Sequence, residues 1–132
     1  MSGTMLLFDG FQPGAVIGRV SERVDAALLG LWRQLYPWDE PAPGELPAGM
    51  TTVLMMRAYM KLLAPRPPGN IHTRQRVELT ALPRLEEEVT TGILCTGRQL
   101  RKERRYVEIA TRSTGAGGRE LFNGAMTLIW AA

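Results

Sequence analysis

The sequence predicts an α+β domain in which a long antiparallel sheet wraps around one buried helix. Three observations lead there. The 132 residues suit a single domain spanning residues 1–132. Residues 48–64 carry Met50, Val53, Leu54, Met55, Met56, Ala58, Tyr59, Met60, Leu62 and Leu63. Those side chains cover nearly every direction around a helix axis, and a helix that is apolar all round is buried. From Asn70 onward the pattern changes to extended runs with alternating character, the mark of strands.

Residues 1–13 read as an irregular lead-in, and residues 15–20 as a short strand. Ser21 is the expected N-cap of a first helix, with Glu22 and Asp25 in its first turn where negative charge suits the helix dipole. Val24, Ala27, Leu28, Leu31, Trp32 and Leu35 would form its apolar face, and Pro37 ends it. Pro37 to Pro47 holds four prolines and a glycine, which forbids regular structure and predicts a stiff loop. The second helix is the apolar one, with Thr51, Thr52, Arg57 and Lys61 as a thin polar edge; Pro65, Pro67, Pro68 and Gly69 stop it. Four strands follow, at 71–82, 89–100, 105–114 and 120–130, joined by turns at 83–88 and 115–118 and by a charged hairpin tip at 98–105. Such a sheet and helix leave an edge and a face partly uncovered, so association of two copies is expected.

Composition excludes several classes. With 45% hydrophobic residues the chain can build a core, so disorder is not expected. The one cysteine, Cys95, excludes an intramolecular disulfide framework. No apolar stretch is long enough to span a bilayer, and no basic segment followed by a long apolar run opens the chain. A cytoplasmic location without a membrane partner is the expectation. The net charge of +3 is uneven: residues 66–119 carry eleven Arg and Lys against six Glu. Fourteen of the sixteen basic residues are arginine, whose planar fork grips phosphate, so a phosphate-bearing partner is one reading and a solvated surface the other. Arg98, Arg101, Lys102, Arg104 and Arg105 suggest a phosphate grip, but only Tyr106 offers a stacking ring, so nucleic acid is not expected.

Five segments, in order, carry a family likeness. They are Phe8 to Val20, Leu35 to Pro43 (Leu-Tyr-Pro-Trp-Asp-Glu-Pro-Ala-Pro), Ala48-Gly49-Met50-Thr51, Arg76 to Val89, and Glu120 to Trp130. Together they resemble the hotdog-fold proteins of the MaoC-like acyl-CoA dehydratase/hydratase branch. The resemblance implies one hotdog domain, a dimer with a continuous sheet, and acyl thioesters of CoA or an acyl carrier bound near the dimer interface. It also implies an Asp and a His doing acid–base work beside the thioester carbonyl, with a helix N-terminus polarising that carbonyl. No metal or other cofactor is implied.

Carried over residue by residue, Asp39 matches the family's aspartate, and Gly49 with Met50 matches the start of the central helix. The histidine is missing: its place falls near Pro43 and Gly44. The only histidine, His72, lies on the next strand and is the candidate surrogate. Arg74 and Arg76, with Arg66, are candidates for the phosphates of CoA. Three functions follow: a hydratase/dehydratase with a diverged site on Asp39 and His72; a thioester hydrolase using Asp39, Glu40 or Glu45; or a non-catalytic subunit paired with a complete hotdog partner.

Overall fold

The computed structural model describes residues 4–132. In chain order it has β1 (Val16–Arg23), α1 (Ala26–Leu35), α2 (Met50–Leu62), β2 (Ile71–Leu79), β3 (Glu88–Arg101), β4 (Arg104–Thr114) and β5 (Glu120–Trp130). Short 3-10 turns occupy Phe8–Gly10 and Ala116–Gly118. The five strands form one antiparallel sheet in the order β1-β3-β4-β5-β2, which leaves β1 and β2 as edges. No helix among the described residues is long and apolar enough to cross a membrane.

The sheet folds over α2 because one set of alternate side chains is apolar. Val89, Ile93, Cys95, Val107, Ile109, Met126, Leu128 and Trp130 are all buried, and they meet Met50, Leu54, Met55, Ala58 and Tyr59 of the helix. Trp130 anchors the far end, edge-on to Phe11 with ring centroids 4.9 Å apart and its indole N–H on the Leu6 carbonyl at 2.8 Å. Thr91 and Ser113 lie in the same buried layer, where their hydroxyls satisfy each other at 2.8 Å. Gly124 makes room for the helix against the sheet: a Cβ there would overlap Met55 of α2 and Thr111 of β4. Gly124→Ala is therefore expected to destabilise the chain by about 1–3 kcal/mol through overpacking, read as a lower midpoint in thermal unfolding.

Several boundaries differ from expectation for local reasons. Ser21 is not a helix cap: β1 continues through it, and its hydroxyl meets Thr90 on β3 at 2.7 Å. The cap of α1 is Asp25, whose carboxylate accepts the Leu28 N–H at 2.9 Å. The buried residue of α1 is Leu29, while Leu31 and Leu35 of the expected apolar face are 58% and 69% exposed. In α2, Thr51 is buried and Met60 is exposed, so the helix is covered on one side only within the chain. The β3–β4 hairpin turns on Lys102 and Glu103, both at positive φ (51° and 65°), a two-residue turn made without glycine.

The helix and the β2 edge run in opposite directions, and this places the site. Gly18 of β1 meets Leu62 at the end of α2, while Glu22 pairs with Arg57 nearer its middle at 2.6 Å. β2 runs parallel to β1 in the sheet order and so antiparallel to α2. One end of the molecule gathers the start of α2, the proline-rich loop and the β2–β3 turn; Leu46 N–H donates to Pro83 and Leu85 N–H to Gly44, both at 2.9 Å. The other end gathers the end of α2, the start of β2 and the β3–β4 tip.

Candidate functional site

Asp39 sits in the proline-rich loop, one side of an open cleft of about 380 Å³ lined by Arg33, Pro37, Asp39, Glu40, Pro41 and Pro43. Its carboxylate accepts the indole N–H of Trp32 at 3.0 Å. The loop cannot form helix or strand, so this contact and the turn bond from Asp39 N–H to Tyr36 at 3.1 Å are what define its position. Trp32 is itself braced by Tyr36, with ring centroids 4.5 Å apart, and Tyr36 meets Trp38.

The same indole lies over the start of α2. A Cβ on Gly49 would stand 2.6 Å from Cη2 and 2.7 Å from Cζ2 of Trp32, so only glycine allows the ring this close. The N–H groups of Met50 and Thr51 are already engaged by Pro47 and Ala48 at 3.0 and 3.1 Å. Gly49 N–H has no acceptor among the described residues, and it lies at the positive end of α2. Asp39, Trp32 and Gly49 thus form one cluster: a carboxylate, the indole that holds it, and a free amide. Met50, next in line, is buried beneath it.

The other expected residues are elsewhere in the chain. His72 is at the start of β2, exposed, and opposite Leu128 in the register. Leu128 faces α2, so the imidazole is on the helix side of the sheet, but at the end where α2 finishes. The 13 residues of α2 span about 20 Å, which separates His72 from Gly49 within one chain. Arg74 and Arg76 are opposite Thr127 and Ala125, on the sheet face turned away from α2, and Arg76 pairs with Glu78 at 2.9 Å. Glu40 lines the cleft beside Asp39, while Glu45 is set by an isolated antiparallel backbone β-bridge with Arg84. Arg66 folds back on the carbonyls of Met60 and Leu63 at the far end of α2. Among the described residues no group of three His, Cys, Asp or Glu could hold a metal.

Sequence reasoning read Trp32 only as part of an apolar face. The missed signal is its spacing from Asp39: seven residues, the last turn of α1 followed by Pro37, where the chain folds back. Trp32→Phe keeps the ring over Gly49 and removes the donor. It is expected to lower any Asp39-dependent turnover about tenfold with little change in melting temperature, a loss the size of one charge-assisted hydrogen bond.

A single antiparallel sheet wrapped round a central helix, in the order β1-β3-β4-β5-β2, is the hotdog fold. The solved structures it resembles include a MaoC-like dehydratase from Rhodospirillum rubrum, with a TM-score of 0.78 and 15% identity, covering 95% of this chain and 97% of that one. An R-hydratase from Pseudomonas aeruginosa aligns with a TM-score of 0.74 and 14% identity over 94% of this chain and 84% of that one. The 3R-hydroxyacyl-ACP dehydratase complex HadBC from Mycobacterium tuberculosis gives 0.72 and 14% over 89% of this chain and 96% of that one. No protein-family model and no curated protein matches the sequence. Identities this low show a shared fold; the chemistry has to be argued from the residues.

Proposed function

We propose that this protein is a hydratase/dehydratase acting on 2-enoyl or 3-hydroxyacyl thioesters of CoA or an acyl carrier, with a site that lacks the loop histidine the family resemblance implies. The observation that carries the reading is the cluster of Asp39, Trp32 and Gly49 at the N-terminus of the central helix. The free Gly49 amide and the helix dipole suit a thioester carbonyl oxygen, whose charge grows as a nucleophile adds to C3. The Asp39 carboxylate suits the proton of the attacking water. Arg74 and Arg76 keep their place as candidate phosphate contacts only for a thioester that reaches round the sheet edge. Incubating the purified chain with crotonyl-CoA tests the reading, followed by loss of the enoyl-thioester absorbance. Turnover supports it; no turnover of crotonyl-CoA or longer enoyl-CoAs rejects it.

A second reading has an observation of its own. No histidine stands beside Asp39 in the loop, and one structural neighbour is a two-subunit complex. The chain would then be a non-catalytic subunit that binds acyl chains or completes a partner. Activity that appears only on mixing with a co-purifying hotdog subunit would favour it. Release of free CoA from saturated acyl-CoAs would instead indicate a thioester hydrolase using Asp39 or Glu40.

A further inference from the structure

We propose that the outer face of the sheet carries a separate binding site, for a medium-chain carboxylate, between Arg19 and Arg112. It lies on the side of the sheet turned away from α2 and the Asp39 cluster, so it does not depend on the hydratase reading.

A hollow of about 400 Å³ opens on this face, and strand register builds it. Arg19 of β1 is opposite Gly92 of β3, Gly92 is opposite Arg112 of β4, and Arg112 is opposite Asn123 of β5. Their strand neighbours Ile93, Thr111 and Phe122 are buried on the helix side, so this row points outward. Adjacent strands are about 4.8 Å apart, which sets the two arginines about 10 Å from each other with a glycine between them. Arg19 already leans over that gap: its Nε lies 4.0 Å from where a Cβ on Gly92 would stand.

The next outward row is apolar. Val16 is opposite Leu94, Leu94 is opposite Ala110, and Ala110 is opposite Ala125. Val16 is 70% exposed, and Leu94 and Ala110 are half-buried. A smaller hollow of about 180 Å³ adjoins at Asn123 and is floored in part by Ala125. The hollow thus has a cationic wall and an apolar wall side by side.

Charge decides the occupant. Among the described residues that line the larger hollow, only Arg19 and Arg112 are ionisable. Arg19 forms no ion pair among the described residues, while Arg112 is paired with Glu120 at 2.6 Å. These three groups sum to one positive charge, which matches a monoanion and not a doubly charged phosphate ester. The remaining charges of this face are balanced or remote. Arg76 pairs with Glu78 at 2.9 Å, Arg23 is opposite Glu88, and Glu108 and Arg74 flank Thr127 beyond the apolar row. Arg101 and Arg104 are out at the hairpin tip. The planar fork of arginine takes both oxygens of a carboxylate. With the head over Gly92, the tail runs across Leu94 and Ala110 to Ala125. Those two strand spacings are about 10 Å, the length of an extended eight-carbon acid.

Octanoate is the probe, titrated into the ¹⁵N-labelled chain and followed by amide shifts and calorimetry. Saturable shifts at Gly92, Leu94, Ala110 and Arg112 are expected. Arg19→Gln should weaken binding about tenfold or more, as for a lost charge-assisted hydrogen bond, and Arg19→Lys should recover part of it. Ala110→Trp fills the hollow from the outer face and should abolish binding while circular dichroism stays unchanged. Each methylene removed from the acid should cost about twofold, because the floor covers one side of the chain only. 1-Octanol and octylammonium should bind at least tenfold more weakly than octanoate. Shifts confined to α2 and Gly49, binding unchanged in Arg19→Gln and Ala110→Trp, or octanol as tight as octanoate would each overturn the site. Octyl phosphate binding tenfold tighter than octanoate overturns the choice of a carboxylate. Self-association that Ala110→Trp abolishes, with no octanoate shifts, gives the face to a second copy and also overturns the proposal.

Discussion

Asp39→Asn is expected to lower the hydration of crotonyl-CoA by about 10²–10⁴-fold, the range for removing a general acid–base group, with the melting temperature unchanged. The substitution is unusually clean here. The asparagine carbonyl can still accept the Trp32 indole N–H that Asp39 accepts at 3.0 Å, so the loop keeps its anchor and the ring keeps its place over Gly49. What disappears is the proton acceptor. Steady-state kinetics should show the fall in kcat rather than in KM, because in the proposed reaction the carboxylate acts on the water and not on the acyl carrier. An unchanged kcat would mean that Asp39 merely pins the loop, and Glu40, on the same cleft, would become the residue to replace.

The second large effect is on stability and lies away from the site. Glu87→Ala should cost about 2–3 kcal/mol, the order for removing a charged acceptor from several donors in a part-buried site, and lower the melting temperature by roughly 7–10 °C for a domain of this size. The Glu87 side chain is 6% exposed and accepts from the backbone N–H groups of Arg84 and Ala116, both at 2.9 Å, and from the Arg119 guanidinium at 2.5 Å. One carboxylate thus ties the β2–β3 turn to the β4–β5 turn. Burial pushes its carboxyl upward, but the two backbone donors and Arg119 outweigh burial and hold it below the ordinary glutamate value of 4.5. A carboxyl held low in the folded state binds fewer protons than in the unfolded chain near pH 4.5, so its contribution is full above that value and fades as pH falls through the folded one. The gap between wild type and Glu87→Ala should therefore be constant at neutral pH and close in acid. Denaturant midpoints measured from pH 7 to pH 3 would show it; a gap that widens in acid would contradict this assignment.

Much of the fold was legible because it is written in local patterns. The run from Met50 to Leu63 reads as a helix, though within the chain it is covered on one side only, and alternation at Val89, Thr91, Ile93 and Cys95 reads as a strand with one buried face. The order of five soft segments led to the hotdog expectation, which the sheet order β1-β3-β4-β5-β2 around α2 bears out. Local pattern failed where two local rules competed. Ser21 has the chemistry of a helix cap, but its neighbours Val20 and Glu22 both turn toward α2 from within β1, and sheet pairing with Thr90 won. Leu31 and Leu35 fit a helical face, yet that face points to solvent because α1 meets the rest of the chain through Leu29 and Trp32.

The candidate site divides in the same way. Asp39, Gly49 and Met50 were named from sequence because each falls in a segment that resembles one of the family's motifs: the carboxylate in the proline-rich loop, the glycine and methionine at the head of the central helix. Trp32 was passed over because aromatic residues at helical spacing are usually core. Its role depends on a loop that turns back on α1 and on a ring-to-glycine approach that no spacing rule describes. His72, Arg74 and Arg76 are neighbours in sequence, but strand alternation sends the imidazole to the helix side and the two arginines to the other.

By itself, then, the sequence determined the class of fold, the central helix and, through the family resemblance, the carboxylate loop at its head, because each depends on residues close together in the chain. Only the tertiary structure decided that Trp32 joins Asp39 to Gly49, that β2 is an open edge, and that His72 stands at the opposite end of α2. Those facts depend on strand order and on the relative direction of α2 and β2, and both arise from contacts between residues far apart in the chain.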